Sequence, residues 1–330
     1  MLHTAKIDCR VLLILLFLFS VNLCADEILD WEVKRLDTLP AALHPSAQVA
    51  SILDAARAGS RIVAVGDHGV VLLSDDEGRI FRQASSVPTR TTLTALFFID
   101  SNKGWAVGNQ GTVLVTEDGG DNWKRLRGSP EELTLFSIWF EDEKHGFAAG
   151  RFATLLETVD GGISWTPLNI VSENDELERN LFQIFPGSDG RLYIAAEAGA
   201  LYLSEDGGST WSMVDTGYIG SFWSGVALKD GTLVLVGMRG TIYTSEDGGA
   251  SWQKRESGSN SSFTDIIERS DGSIVAVGLN GAIAKSQDAN SPFVTSVHPE
   301  RVALTAVVEG PNGDHLLFGK AGPVSVKEDD

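Results

Sequence analysis

Cysteine is nearly absent from this 330-residue chain: there are two, Cys9 and Cys24, and both fall in the first 25 residues. From residue 26 onward no disulfide, cysteine-bound metal or thiol nucleophile is available. Cationic side chains are scarce too. Lys and Arg number 26 against 45 Asp and Glu, a formal net charge of −19. Such acidity argues against nucleic acid and against an anionic membrane surface as partners. After residue 19 no apolar run approaches transmembrane length. The six histidines are scattered, with no metal-ligand spacing among them. No metal and no cofactor are expected.

The amino terminus stands apart from the rest. Lys6 and Arg10 precede an apolar stretch at 11–19, and Leu23-Cys24-Ala25 offers a cleavage site. This is the pattern of a secretory signal over residues 1–25, too short to span a bilayer. A lipid-anchored Cys24 is the weaker alternative, because Leu23 is large where a small residue is usual. The remainder, 26–330, is expected to be exported as one domain, to the periplasm or to the thylakoid lumen of a photosynthetic organism. Lys6, Arg10 and Asp8 sum to +1, so the exported part carries −20.

Glycine is plentiful at 35 residues, and it is spread in phase with a repeat. Residues 116–123 read TEDGGDNW, 158–165 TVDGGISW, 204–211 SEDGGSTW and 245–252 SEDGGASW. Weaker copies are SDDEGRIF at 74–81 and SQDANSPF at 286–293. The pattern is Ser/Thr-x-Asp-x-Gly-x-x-aromatic. Its Asp and hydroxyl side chains suit bonds to backbone N–H groups of a tight turn, and its Gly supplies positive φ. Asp76, Asp118, Asp160, Asp206, Asp247 and Asp288 are accordingly read as structural. A Ca²⁺ loop needs several converging carboxylates, and each box offers one fixed Asp.

Upstream of each box lies a G-x-x-G pair or a near copy, whose first positions are 66, 108, 150, 196, 237, 278 and 319. Their steps of 41 to 46 residues are the period of propeller blades. Short apolar runs between turn residues read as four strands per unit. The G-x-x-G turn joins the second and third strands, and the box joins the third and fourth. The last unit has three strands, and residues 30–36, DWEVKRL, resemble the fourth-strand sequence beginning at Trp123. The expected fold is all-β: a seven-bladed β-propeller of four-stranded antiparallel blades, closed by the N-terminal strand carrying Trp31.

These boxes resemble the Asp-boxes, or BNR repeats, of sialidases and sortilin-type receptors. Seven regular units in an exported chain, with wording such as Gly104-Trp-Ala-Val-Gly108 and Thr154-Leu-Leu-Glu-Thr-Val-Asp-Gly-Gly162, resemble most the photosystem II assembly and stability factor family over residues 30–326. The resemblance implies a non-enzymatic propeller that binds a protein partner and aids assembly or stabilisation of a membrane complex. The alternative from a different class is a sialidase-like, glycan-binding or glycan-hydrolysing propeller. That chemistry needs an Arg cluster and a Tyr nucleophile with a Glu partner. The Phe-Arg-Ile-Pro motif of sialidases is absent, and Tyr218 alone of the tyrosines falls in a connection. We therefore expect no catalytic residue.

In an antiparallel meander the turns between second and third strands share a face with the blade-to-blade connections. The dipeptides inside G-x-x-G vary from blade to blade while their frame does not. That variety marks His68, Gln110, Arg151, Phe152, Glu197, Arg239, Asn280 and Lys320 as candidate partner contacts around one mouth. Trp139 and Trp223, in first strands, are read as core. Two connections are long, one over 165–181 with an acidic stretch and one over 36–51 with His44, Pro40 and Pro45. Both rise on the same face. A monomer is expected.

Overall fold

The structure, a computed structural model, describes residues 38–128, 133–170 and 178–324. Their strands form seven antiparallel sheets in strict chain order, six of four strands and one of three. The molecule is a seven-bladed β-propeller. Blade 1 comprises Ile52–Ala58, Arg61–Gly66, Val71–Ser74 and Arg82–Gln83. Blade 7 comprises Leu304–Glu309, His315–Gly319 and Gly322–Val324. Its expected fourth strand, 30–36, lies outside the described residues, as does the signal segment. Among the described residues there is no α-helix, and short 3-10 turns occupy most of the G-x-x-G corners.

The sequence pattern follows the depth of each strand. Second strands such as Leu233–Gly237 are buried along their whole length, because a neighbouring blade covers each face. Fourth strands such as Ser212–Asp215 lie on the rim and are largely exposed. There is no single central core. Each seam between blades has its own apolar cluster, for example Val236, Ile242, Phe263 and Ile274 between blades 5 and 6. First strands touch around the whole ring, with blade 7 returning to blade 1. That last seam is held by the Thr305 hydroxyl donating to the Ile52 carbonyl at 2.7 Å and by the Phe81 and Phe318 rings meeting edge to face at 5.8 Å.

The boxes do what their chemistry suggests. In blade 2 the Thr116 hydroxyl donates to Asp118 Oδ1 at 2.9 Å and accepts from the Gly120 N–H at 3.0 Å. Asp118 Oδ1 also accepts from the Asn122 N–H at 2.9 Å. The Trp123 indole N–H then caps the Gly120 carbonyl at 2.8 Å. Blades 3, 4 and 5 repeat every one of these bonds. Blade 6 departs from them: the Ser286 hydroxyl donates to the Asp288 carbonyl instead of the carboxylate. The aromatics are not equally covered. Trp123 is 3% exposed, whereas Trp165, Trp211 and Trp252 are half-buried.

Candidate functional site

The G-x-x-G turns lie on the face opposite the boxes, together with the blade-to-blade links. The Ala153 N–H, beside the corner of blade 3, donates to the Arg179 carbonyl in the link to blade 4, at 2.8 Å. Glu197 Oε2, in the corner of blade 4, accepts from the backbone and side-chain amides of Asn180 in that same link, at 3.1 and 2.9 Å. The first Gly of the frame has a packing reason. A Cβ on Gly108 would stand 2.1 Å from the Thr92 carbonyl oxygen, where the first strand begins. The second Gly is in the left-handed region, as Gly240 is at φ +70°.

The structure brings all eight predicted residues onto this one face, at seven successive corners. They do not share one environment. His68, Arg151, Phe152, Arg239, Asn280 and Lys320 are exposed. Glu197 is half-buried and occupied by Asn180. Gln110 is half-buried and turns its amide oxygen inward. Arg151 lies over the Phe152 ring, 4.6 Å from its centre, and Phe152 is 57% exposed. On the same face, in the link from blade 4 to blade 5, Ile219 is 93% exposed. Blades 3 to 5 thus carry an apolar and cationic sector of the mouth. The acidic stretch in the 165–181 connection lies largely outside the described residues, at 171–177.

Sequence reading missed what the mouth opens into. An axial channel of about 610 Å³ runs through the disc, lined by the seven first strands. Each first strand carries a β-bulge after its opening residue. In blade 2, Leu93 and Ala95 pair with Gly108 and Val107, and Thr94 is skipped. The same slip leaves out Phe136, Phe182 and Trp223 in blades 3, 4 and 5. A skipped residue leaves the ladder and turns its side chain to the channel. Trp223, read from sequence as core, is therefore half-buried on the channel wall, whereas Trp139 stays in the ladder opposite Phe147 and packs on the seam cluster as expected, with one side on the channel. The bulge shifts which residues face inward. A run such as LFSIWF at 135–140 does not reveal that shift. The available signal was a comparison of units, since Thr stands at the skipped position in blades 2, 6 and 7 and an aromatic in blades 3, 4 and 5.

On the channel wall the residue after the bulge reaches across the seam. Ser137 Oγ accepts from the Ile184 N–H at 3.0 Å, and Gln183 Oε1 from the Gly225 N–H at 2.7 Å. In blades 1 and 6 carboxylates take this part. Asp54 accepts from the Ala55 and Leu96 N–H groups at 2.8 and 2.9 Å. Asp265 accepts from the Ile266 and Val307 N–H groups at 2.8 and 2.9 Å and from the Ser224 hydroxyl at 3.2 Å. Burial inside the disc pushes the Asp54 carboxyl up to about 7, with the neighbouring Asp265 adding to the effect. Burial likewise raises Asp265 to about 6, although its hydrogen bonds pull the other way. Among the described residues no three His, Cys, Asp or Glu side chains are placed to hold a metal ion.

Comparison with known proteins bears on this geometry. Residues 121–292, just over half of the chain, match the family model described as photosynthesis system II assembly factor YCF48. A search of curated proteins found no match. Among solved structures, one titled YCF48 bound to D1 peptide superposes with a TM-score of 0.68 at 19% identity, covering 86% of this chain and 94% of that one. YCF48 from Cyanidioschyzon merolae gives 0.64 at 15% identity, over 86% and 96% of the two chains. A streptogramin B lyase gives 0.70 at 12% identity, over 86% and 94%. At such identities these likenesses show the shared propeller fold.

Proposed function

The chain belongs to the photosynthesis system II assembly factor YCF48 family, and from that membership we propose that it is a non-enzymatic binding protein. Its partner is a segment of a membrane protein, held at the G-x-x-G mouth while a membrane complex is assembled or stabilised. The relative solved with a D1 peptide supports a peptide segment as the form of the partner. One observation carries the choice of face. The box turns are closed by their own internal bonds and expose only separate aliphatic side chains, Ile80, Val159 and Ile163, whereas the mouth sets the Arg151 guanidinium over the exposed Phe152 ring, with Ile219 exposed on the same face. Arg and aromatic residues on a rigid frame are the groups that dominate interface energetics. Such a protein works outside the cytoplasm as a monomer, released from its signal segment.

The glycan-cleaving reading is not favoured. Tyr218 donates its hydroxyl to the Met238 carbonyl at 2.9 Å and packs against Phe222 and Tyr243. A tyrosine so engaged is not poised as a nucleophile. The test is capture of membrane-protein segments from membrane extracts, followed by two charge-swap sets. Arg151→Glu with Arg239→Glu should weaken capture at least tenfold, since truncating interface hot spots typically costs about 2 kcal/mol or more. Glu205→Lys with Glu246→Lys, on the box face, should leave it intact. Loss with the second set alone would put the interface on the wrong face.

A further inference from the structure

At the bulge position three blades share one structural device and four lack it: blade 1, with Leu53, and the consecutive blades 3, 4 and 5, with aromatics. In blades 2, 6 and 7 the skipped residue is Thr94, Thr264 or Thr305. Each hydroxyl donates across the seam to the carbonyl that opens the next first strand, at Leu135, Leu304 and Ile52, at 2.5, 2.9 and 2.7 Å. Blades 3, 4 and 5 place Phe136, Phe182 and Trp223 there, which cannot make that bond. The Phe136 and Phe182 rings stack with centres 5.7 Å apart. Four seams forgo the latch, and at three of them, in consecutive blades, half-buried aromatic surface faces the channel instead. Local rules broken without a structural gain point to function.

The opposite arc departs in its own way. Ser137 and Gln183 show that a neutral side chain satisfies the cross-seam amide. Blades 1 and 6 nevertheless use Asp54 and Asp265, and confine negative charge inside the disc. Each Asp directly follows a skipped position, so carboxylates and rings occupy the same level of the channel. That level lies within two residues of the mouth rim, about 3–7 Å down at strand rise. An aromatic arc facing carboxylates across a narrow space fits a cation on an apolar stem.

We propose that the axial channel receives a basic side chain, lysine or arginine, from the partner segment, with its stem against Phe136, Phe182 and Trp223 and its cation toward Asp54 and Asp265. This rests on the reading of the mouth as the partner face and gives that partner a basic residue at its centre. The chain's net charge of −19 draws such a segment in from a distance.

The probe is butylguanidinium, with butylamine, 1-butanol and butyrate alongside, titrated into the full-length protein while the Trp223 indole N–H resonance is followed. Trp223→Phe assigns that resonance. A saturable shift is expected with the two cations, at least about fivefold tighter than with 1-butanol and absent with butyrate. Binding should strengthen from pH 5 to pH 8 as the carboxylates lose their protons. Asp54 and Asp265 share one arc, and the uncharged Thr94, Ser137, Gln183, Ser224 and Thr305 line the same end of the channel. Arg57, Glu268 and Glu309 lie at the box end of the same wall. Phe182→Thr installs the latch used by three other blades, so it should fold and yet bind butylguanidinium about fivefold more weakly. Asp265→Asn should weaken it similarly. No saturable shift, or a shift indifferent to both substitutions, overturns the proposal. Arg151→Glu with Arg239→Glu separates the two readings, because it should weaken partner capture at least tenfold without weakening butylguanidinium binding. Partner capture at the mouth without probe binding refutes the channel alone. Probe binding with partner capture untouched by those Arg variants refutes the mouth alone.

Discussion

His68, Gln110, Phe152, Ala198, Arg239 and Asn280 share one backbone conformation, with φ between 54° and 58°. For an L residue other than Gly or Asn this costs about 1–2 kcal/mol. The corner demands the angle, and the chain fills it with side chains that fit it poorly. At Ala198 the cost comes with no polar contact in return, because the side chain is an exposed methyl group. Ala198→Gly should therefore stabilise the protein by about 0.5–1 kcal/mol, after the extra chain entropy of Gly is subtracted. Asn280→Gly should change little, since Asn tolerates the left-handed region. Urea melts of both variants decide. A destabilised Ala198→Gly would show that the corner is not under strain.

Within a blade, the turns are where sequence and structure agree best. Thr116, Asp118, Gly120 and Trp123 act on one another within eight residues, so their chemistry is local and legible. The same holds for Gly108, whose neighbour across the hairpin is fixed by the strand register. The channel wall was not legible in that way. Phe136 faces inward because its blade slips by one residue against the second strand, and pairing between distant segments sets that slip. The box also predicts a response to acid. The hydroxyl of Ser164 and the backbone around it hold the Asp160 carboxyl down to about 2, and Ser251 does the same for Asp247. A carboxyl whose folded pKa lies below its ordinary 3.8 contributes stability above that value and loses it as pH falls through about 2. The melting temperature should thus decline between pH 4 and pH 2. The decline should be shallower in the double variant Asp160→Asn, Asp247→Asn, which keeps an acceptor oxygen and removes the titration. An unchanged slope would show that the boxes do not set acid sensitivity.

At the scale of the whole ring, the seam between blades 7 and 1 is the one place where chain connectivity does not help. Arg57 donates from Nε to the Glu309 carbonyl at 2.8 Å across it, and Thr305 latches to Ile52. Yet among the described residues Gly322–Val324 has no strand on its outer side, and a groove of about 730 Å³ runs beside it, lined by Phe81, Phe318, Pro323 and Val324. An uncovered apolar edge is an aggregation hazard. Residues 30–36 are expected to complete blade 7. Deleting 26–36 should lower the melting temperature by several degrees, since burial of one large aromatic such as Trp31 is worth about 3–5 kcal/mol. A truncated protein that melts like the intact one would show that closure does not depend on this segment.

The seven bulges have a consequence for how such a ring changes over time. A residue that stands outside the ladder is released from the pairing rules that govern its neighbours. Thr, Leu, Phe and Trp all occupy that position in this single chain, on backbones that follow the same path. The lining of the hub is therefore editable one wedge at a time, with no repacking of the seams on either side. A scaffold duplicated from one module can diverge into a lineage of binders through this handful of positions, while its foldability is inherited intact.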